Sequence, residues 1–321
     1  MLAPRKEEIG MTQYRVNQNR HHGCLVGLAV GDALGTTVEF SSPGTFPPVE
    51  DMVGGGVFDL QPGQWTDDTS MALCLGESLV RCGGFDAGDQ MRRYVNWYRI
   101  GYMSSTGICF DIGNATRTAL ERFEHTGEAY SGLTDPMTAG NGSIMRLAPV
   151  AMAYVHQPEQ AIRYAELSSL TTHGAVESVQ ACAVLAAMLV SGMQGADKQT
   201  MLAPTTWQDW LGEKELSPGL QEVIDGSYKH REPPEIKGTG YVIRSLEAAL
   251  WAFDHTSSFA EGALLAVNLG DDADTTGAVY GQLAGAYYGY DQIPEHWRAR
   301  LAMKDELQEL TDRLWGMIRQ E

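Results

Sequence analysis

Apolar residues spaced three and four apart dominate this chain, and strict apolar–polar alternation is scarce. The spacing predicts helices over 23–33, 70–81, 89–99, 113–123, 177–193, 240–253, 258–269 and 276–288. The last of these carries Gly277, Gly281, Gly285 and Gly289 at intervals of four, which places them on one stripe. Each glycine costs a helix about 1 kcal/mol relative to alanine. Such a stripe implies that another backbone comes very close. Turn-forming residues collect at 41–48, 54–63, 131–143 and 232–240, and none of these stretches is long enough to be a linker. No hairpin signal or fixed-period repeat interrupts the pattern. The expected architecture is a single compact, all-α, multi-helix domain over 23–321. A flexible polar N-terminal extension is expected at 1–22.

Composition narrows the classes. The 321 residues are 43% hydrophobic, enough for a sizeable core. A formal net charge of -18 repels phosphate backbones and disfavours general nucleic-acid binding. The charge serves solubility, or some of the acids gather at a cation site. No charged-then-apolar leader pattern opens the chain, and no apolar run of about 18 residues suggests a membrane span. The five cysteines (Cys24, Cys74, Cys82, Cys109 and Cys182) are odd in number and contain no Cys-x-x-Cys pair. Neither a disulfide framework nor a zinc knuckle is indicated. Four of them sit among apolar or small residues as expected core thiols, and a reducing cytoplasmic location fits.

Two acidic clusters stand just before predicted helices: Thr66-Asp67-Asp68-Thr69, and Asp271-Asp272-Ala273-Asp274-Thr275-Thr276. Asp and Thr are favoured helix caps, and acids suit the positive end of a helix dipole, so capping is one reading of each. The second cluster holds three acids within four residues, more than a cap requires. A divalent cation would turn their repulsion into attraction. Carboxylate and hydroxyl ligands favour Mg2+, Mn2+ or Ca2+, and the absence of Cys and His from both clusters argues against zinc. Four carboxylates suffice to bridge two ions.

These clusters and several further motifs resemble the ADP-ribosylglycohydrolase family. The segment Gly27-Leu28-Ala29-Val30-Gly31-Asp32-Ala33-Leu34-Gly35, with Glu39 shortly after, is similar to the family's opening motif. Gly63-Gln64-Trp65-Thr66-Asp67-Asp68-Thr69 resembles its first metal motif. Asp111-Ile112-Gly113-Asn114, Gly140-Asn141-Gly142-Ser143-Ile144-Met145-Arg146 and Thr172-His173 follow in the family's order. Asn268-Leu269-Gly270-Asp271-Asp272-Ala273-Asp274-Thr275-Thr276-Gly277 resembles the second metal motif. The ordered set spans about 23–294 and most resembles the bacterial dinitrogenase-reductase-activating members.

The resemblance implies an all-α fold with a central cleft, two Mg2+ or Mn2+ ions, and hydrolysis of ADP-ribose from a modified protein, with arginine as the expected linkage. The implied metal ligands are Thr66, Asp67, Asp68, Asp272, Asp274 and Thr275. Asp271 stands where many relatives have glycine, and it is expected to point away from the ions or to support their ligands. Asp111 is the first candidate for proton transfer, against a reading as the cap of the helix near 113. Glu39 is the second, against a surface acid. Asp32, in the glycine-rich opening segment, is left off the catalytic list with a role beside the metals or in bracing the backbone. Substrate binding falls to Asn114, to the permissive loop Gly140, Asn141, Gly142 and Ser143, to His173, and to Tyr241, which could stack on adenine or simply pack. Gly54, Gly55 and Gly56 form a weaker candidate loop over the diphosphate. The alternative function is an immunity or regulatory protein that neutralises an ADP-ribosyltransferase toxin by binding it, with or without hydrolysis, using the polar stretch 1–19. A dimetal phosphoesterase is less well matched, because such sites usually mix His with Asp and only His173 is available.

Overall fold

The computed structural model describes residues 16–319, and among them the architecture is helical throughout. Helices α1 (Gln18–Gly35), α2 (Asp67–Cys82), α3 (Ala87–Ile100) and α4 (Asn114–Thr126) lead to α5 (Ala148–Ala153), α6 (Pro158–Leu170) and α7 (Val176–Met193). Three short helices follow, α8 (Lys198–Leu202), α9 (Pro204–Leu211) and α10 (Pro218–Ile224). The chain closes with α11 (Val242–His255), α12 (Phe259–Val267), α13 (Ala273–Tyr288), α14 (Glu295–Arg300) and α15 (Lys304–Ile318). Extended pairing is confined to isolated bridges, of which Gly140 with Tyr241 and Leu133 with His173 tie loops together beside the cleft.

The centre of the fold is the antiparallel pair α1 and α13, and its closeness follows from glycine. A Cβ built on Gly23 would lie 2.4 Å from the Gly285 carbonyl oxygen, one on Gly27 2.2 Å from that of Gly281, and one on Gly31 1.9 Å from that of Gly277. The reverse contacts are equally short, 1.9–2.3 Å from Gly285, Gly281 and Gly277 to the carbonyls of α1. The stripe anticipated on α13 thus meets a matching stripe on α1, and main chain packs on main chain. Helices α11, α12, α7 and α2 pack around this pair, and α6 and α9 cover α7. By length and composition α7 is apolar enough to cross a membrane, with a mean hydropathy of 1.6, yet 78% of it is buried inside the fold. It is a core helix here.

Some boundaries differ from the sequence expectation. Residues 18–22 belong to α1, whose Asn17 side chain caps its first turn, so the extension expected at 1–22 does not include them. His21 and His22 are buried. Residues 1–15 lie outside the described residues. Four of the five cysteines were expected in the core; Cys24, Cys74 and Cys182 are buried, Cys109 is half-buried and Cys82 is exposed.

Candidate active site

The two acidic clusters meet. Helix α2 begins with Asp67 and Asp68 in its first turn, and α13 begins after Asp272 with Asp274 and Thr275 in its first turn. Neither Thr66 nor Asp272, the residues in the cap positions, makes a side-chain capping bond. The cap of α2 comes from α1 instead. Asp32 Oδ1 accepts from the Thr66 N–H at 2.9 Å, while Asp32 Oδ2 accepts from the Thr69 N–H at 3.0 Å and the Thr69 hydroxyl at 2.6 Å. A carboxylate at this helix end satisfies donors that would otherwise be orphaned. Asp67 and Asp68 are thereby released from capping, and capping does not account for the cluster.

Thr275 Oγ1 donates to Asp68 Oδ1 across the gap at 3.3 Å. Thr66 Oγ1 lies 3.0 Å from both an Asp32 oxygen and Asp274 Oδ2, although its one hydrogen can serve only one of them. Two carboxylate triads result. One oxygen each from Asp32, Asp68 and Asp274 lie within 4.8 Å of one another, and so do oxygens from Glu39, Asp111 and Asp274. Asp274 belongs to both. Asp67 and Asp272 border the triads in the same cleft, and Asp272 Oδ2 accepts from Asn141 Nδ2 at 2.7 Å. Asp271 belongs to neither triad. Its backbone takes a left-handed φ of 52° and exchanges two hydrogen bonds with the segment after Glu39: Phe40 N–H to Asp271 O at 2.7 Å and Asp271 N–H to Ser41 O at 2.8 Å.

The electrostatics of so many acids require compensation. Burial first, then neighbouring acids, holds Asp67, Asp68 and Asp274 well above the usual carboxylate range. Burial with the Asp111 and Asp272 charges pushes Glu39 to about 10. Burial and Asp272 raise Asp111 to about 7. Asp32 rises to about 6 because burial outweighs its hydrogen bonds from Thr69 and Thr66. Asp68 Oδ2, Asp274 Oδ1 and Glu39 Oε2 are buried and have no hydrogen-bond partner among the described residues. Buried polar atoms are rarely left this way. The donor set is all hard oxygen. Opposite ligands on an octahedral Mg2+ stand about 4.2 Å apart, from metal–oxygen distances of about 2.0–2.1 Å. The triads therefore fit divalent cations in chemistry and in scale.

Glu39, Asp67, Asp111, Asp272 and Asp274 line one chamber of about 700 Å³ together with Gly140, Asn141, Gly142 and His173, while Asp32 and Asp68 lie behind its wall. A second chamber of about 690 Å³ adjoins it, shares Asn114, Ala115, Gly140 and Gly240, and is lined by Leu133, Met137 and Tyr241. Asp111 sits in a loop with φ of 56° and does not cap α4, whose cap position is Gly113. Exposed Asn114 opens α4 at the junction of the chambers. Glu39 is buried, contrary to a surface-acid reading. Tyr241 is 40% exposed and donates its hydroxyl to Glu177 at 2.8 Å. His173 is buried, and burial followed by the Arg146 charge lowers it to about 3, so the ring is neutral.

Ser143 departs from the expected set. Its hydroxyl accepts from Ser169 Oγ at 2.8 Å and Cys182 Sγ at 3.3 Å, inside the core rather than in the cleft. One residue further along a tight turn reverses the side chain's direction, which a motif match does not reveal. Gly54, Gly55 and Gly56 line neither chamber. Met145 and Thr239 also line the acidic chamber; Met145 lies inside the 140–146 motif but was given no role, and no local pattern marked Thr239.

Fold and site together define an all-α protein whose cleft gathers carboxylates of the kind that hold divalent cations. The sequence model of the ADP-ribosylglycohydrolase family matches residues 14–321, and the chain belongs to that family. It is similar to the ADP-ribosylarginine hydrolase Tri1 of Pseudomonas putida (46% identity, covering 92% of this chain and 78% of that one). It is also similar to the ADP-ribosyl-[dinitrogen reductase] glycohydrolase of Rhodospirillum rubrum (33% identity, covering 90% and 92%). A solved chain described as an ADP-ribosylglycohydrolase-related protein complex superposes with a TM-score of 0.83 at 48% identity, covering 94% of this chain and 98% of that one.

Proposed function

We propose that this protein is an ADP-ribosylarginine hydrolase, which removes ADP-ribose from arginine side chains of modified proteins and so reverses mono-ADP-ribosylation. The observation that carries the reading is the pair of carboxylate triads sharing Asp274, in a family whose arginine-directed members reach 46% identity to this chain. Two divalent cations, Mg2+ or Mn2+, would be held by Asp32, Asp68 and Asp274 and by Glu39, Asp111 and Asp274, with Thr66, Asp67, Asp272 and Thr275 completing the set. Bound there, they supply Lewis acidity.

In the reaction, a water oxygen bonds to C1 of the distal ribose. The C1–N bond breaks, its electron pair goes to the guanidino nitrogen, and that nitrogen ends protonated. Asp111, a carboxyl in the loop before α4 that lines the acidic chamber, is the proposed proton-transfer group. Asn141 holds Asp272 in place. The glycines at 140 and 142 let the diphosphate approach the main chain and His173. The apolar second chamber, with Tyr241 at its edge, has the character of a nucleoside site.

This orientation leaves the protein part of the substrate at the other rim. There Phe40, 64% exposed, continues into Phe58 at 6.4 Å and Phe58 into Phe110 at 5.1 Å between ring centres. Val57 and Ile108, next to and two residues before Phe58 and Phe110 in the chain, are exposed as well. An ADP-ribosyltransferase toxin is the proposed source of the modified arginine, and a reducing cytoplasm the proposed setting. The names of the relatives favour catalysis over neutralisation by binding alone.

The test is incubation with arginine- and serine-linked ADP-ribosyl peptides in Mg2+, Mn2+ or EDTA, with released ADP-ribose measured. Release from the arginine linkage with either ion and none in EDTA is expected. No release from any linkage would remove the hydrolase reading.

A further inference from the structure

Behind the glycine-rich wall, Arg146 is fully buried, and among the described residues no carboxylate pairs with it. Its guanidinium stacks over the Tyr94 ring at 4.6 Å, and its Nη2 donates to Thr172 Oγ1 at 2.7 Å. The same hydroxyl lies 2.9 Å from His173 Nδ1, and Thr172 is itself fully buried. Arginine has only donors, so the Thr172 oxygen must accept from it. The Thr172 hydrogen then needs an acceptor, and His173 Nδ1 is the one within reach among the described residues. The opposite tautomer would aim two N–H donors at one oxygen and leave a buried hydroxyl hydrogen unpaired, which a buried polar group rarely tolerates. The proton of the neutral ring therefore sits on Nε2, which faces the cleft beside Gly140 and Gly142. A Cβ at Gly142 would lie 2.9 Å from that nitrogen and 2.6 Å from Cε1, so the loop is shaped to the ring.

We propose that Arg146 and Thr172 are positioning residues, which lock His173 as its Nε2–H tautomer and so hold one neutral hydrogen-bond donor toward an oxygen of the bound ADP-ribose. The oxygen belongs to a ribose hydroxyl or a phosphate. This role rests on the hydrolase reading above. The lock itself does not, because it is observable without substrate. A neutral donor held by its neighbours suits an oxygen-rich ligand at any working pH. A histidine free to choose its tautomer would present a lone pair to that ligand part of the time and repel it.

Nitrogen-15 NMR of the metal-loaded protein reads the tautomer directly. The His173 signals are expected to show a protonated Nε2 and an unprotonated Nδ1, unchanged between pH 5 and 8. A protonated Nδ1, or titration within that range, would overturn the lock. Thr172→Val removes the nearest acceptor of Arg146, leaving the Ser168 carbonyl and the Thr171 hydroxyl at 3.4 Å, and removes the donor to Nδ1. It is expected to raise KM for ADP-ribosylarginine and weaken ADP-ribose binding by calorimetry about tenfold, with kcat within about threefold. Thr172→Ser is expected to restore both. In a His173→Asn background, Thr172→Val is expected to add less than about twofold, because the group it positions is gone. Equal losses in both backgrounds, or failure of the serine variant to rescue, would show a merely structural role. If the wild type neither hydrolyses nor binds ADP-ribose, the functional reading fails, while the NMR result still decides the lock. Should Thr172→Val not fold, the wild-type spectra and the serine variant remain decisive.

Discussion

Replacing Asp274 with asparagine tests the cage from two directions at once. Asp274 is almost fully buried, belongs to both triads and leaves Oδ1 unpartnered. In metal-free protein, burial and the Glu39, Asp68 and Asp272 charges oppose its ionisation. A group whose folded pKa is raised binds more protons folded than unfolded in the window above its unfolded value. Metal-free stability should therefore fall as pH rises from about 4 toward neutrality, by about 1.4 kcal/mol for each unit of upward shift. The substituted amide keeps an acceptor for Thr66 and presents an N–H donor to the neighbouring acids. The metal-free variant should melt a few degrees above the wild type at pH 7.5, with a shallower pH dependence. Saturating metal reverses the order. An ion present at 1,000 times its Kd adds about 4 kcal/mol, which is about 6 °C per ion for a domain of this size. The wild type should gain this and the variant should lose most of it. Differential scanning calorimetry in EDTA and in excess Mg2+ or Mn2+ reads both effects. A variant less stable than the wild type in EDTA, or one that keeps the full metal-induced shift, would refute the cage.

Three further outcomes follow from the same geometry. Gly31→Ala places a methyl group 1.9 Å from a backbone oxygen and should cost at least the roughly 1–3 kcal/mol of core overpacking, together with activity. Gly316→Ala, in open space on α15, should be neutral or stabilising by up to about 1 kcal/mol; thermal melts compare the two. Asp32→Ala leaves the Thr66 and Thr69 N–H groups without their acceptor and should lower stability by about 2 kcal/mol or more even in EDTA, where metal loss cannot contribute; denaturant titration in EDTA reads the change. Phe58→Ser and Phe110→Ser should raise KM about fivefold or more for an ADP-ribosylated protein and leave free ADP-ribosylarginine nearly unaffected; equal effects on both substrates would dismiss the aromatic lip as a docking surface.

Much of the fold was legible because long helices repeat their apolar residues. The helix predicted over 177–193 is observed as Val176–Met193, and that over 276–288 as Ala273–Tyr288. The stripe at Gly277, Gly281 and Gly285 correctly implied a close backbone, but its partner on α1 emerged only in three dimensions. Helices α5, α6, α8, α9, α10, α14 and α15 went unread; most are short, and α6 and α15 carry polar residues on much of their surface. The start of α2 was placed at 70 because Asp67 and Asp68 look like caps, whereas the capping carboxylate is Asp32, 34 residues from Thr66. The same separation left Asp32 off the implied ligand list, with only a role beside the metals or in bracing the backbone. No local pattern shows that an aspartate in the last turn of α1 and Asp274 on α13 will come within ligand distance of one another. Glu39 and Asp111 were recognised as acids near the chemistry, while their junction with Asp274 depends on loops whose course only the folded chain defines.

The meeting of α1 and α13 through glycine fixes more than their separation. Gly35 abuts the main chain of Ala273 and Asp274, and Gly31 directly precedes Asp32. The gap spanned by the two triads is therefore gauged by peptide groups, which no conservative exchange of side chains elsewhere can lengthen or shorten. Substitutions in the surrounding core can soften or stabilise the molecule without re-spacing its ligands. Tolerance to sequence drift should accordingly be broad everywhere except along a seam one residue wide, where even a methyl group would pull the two halves of the site apart.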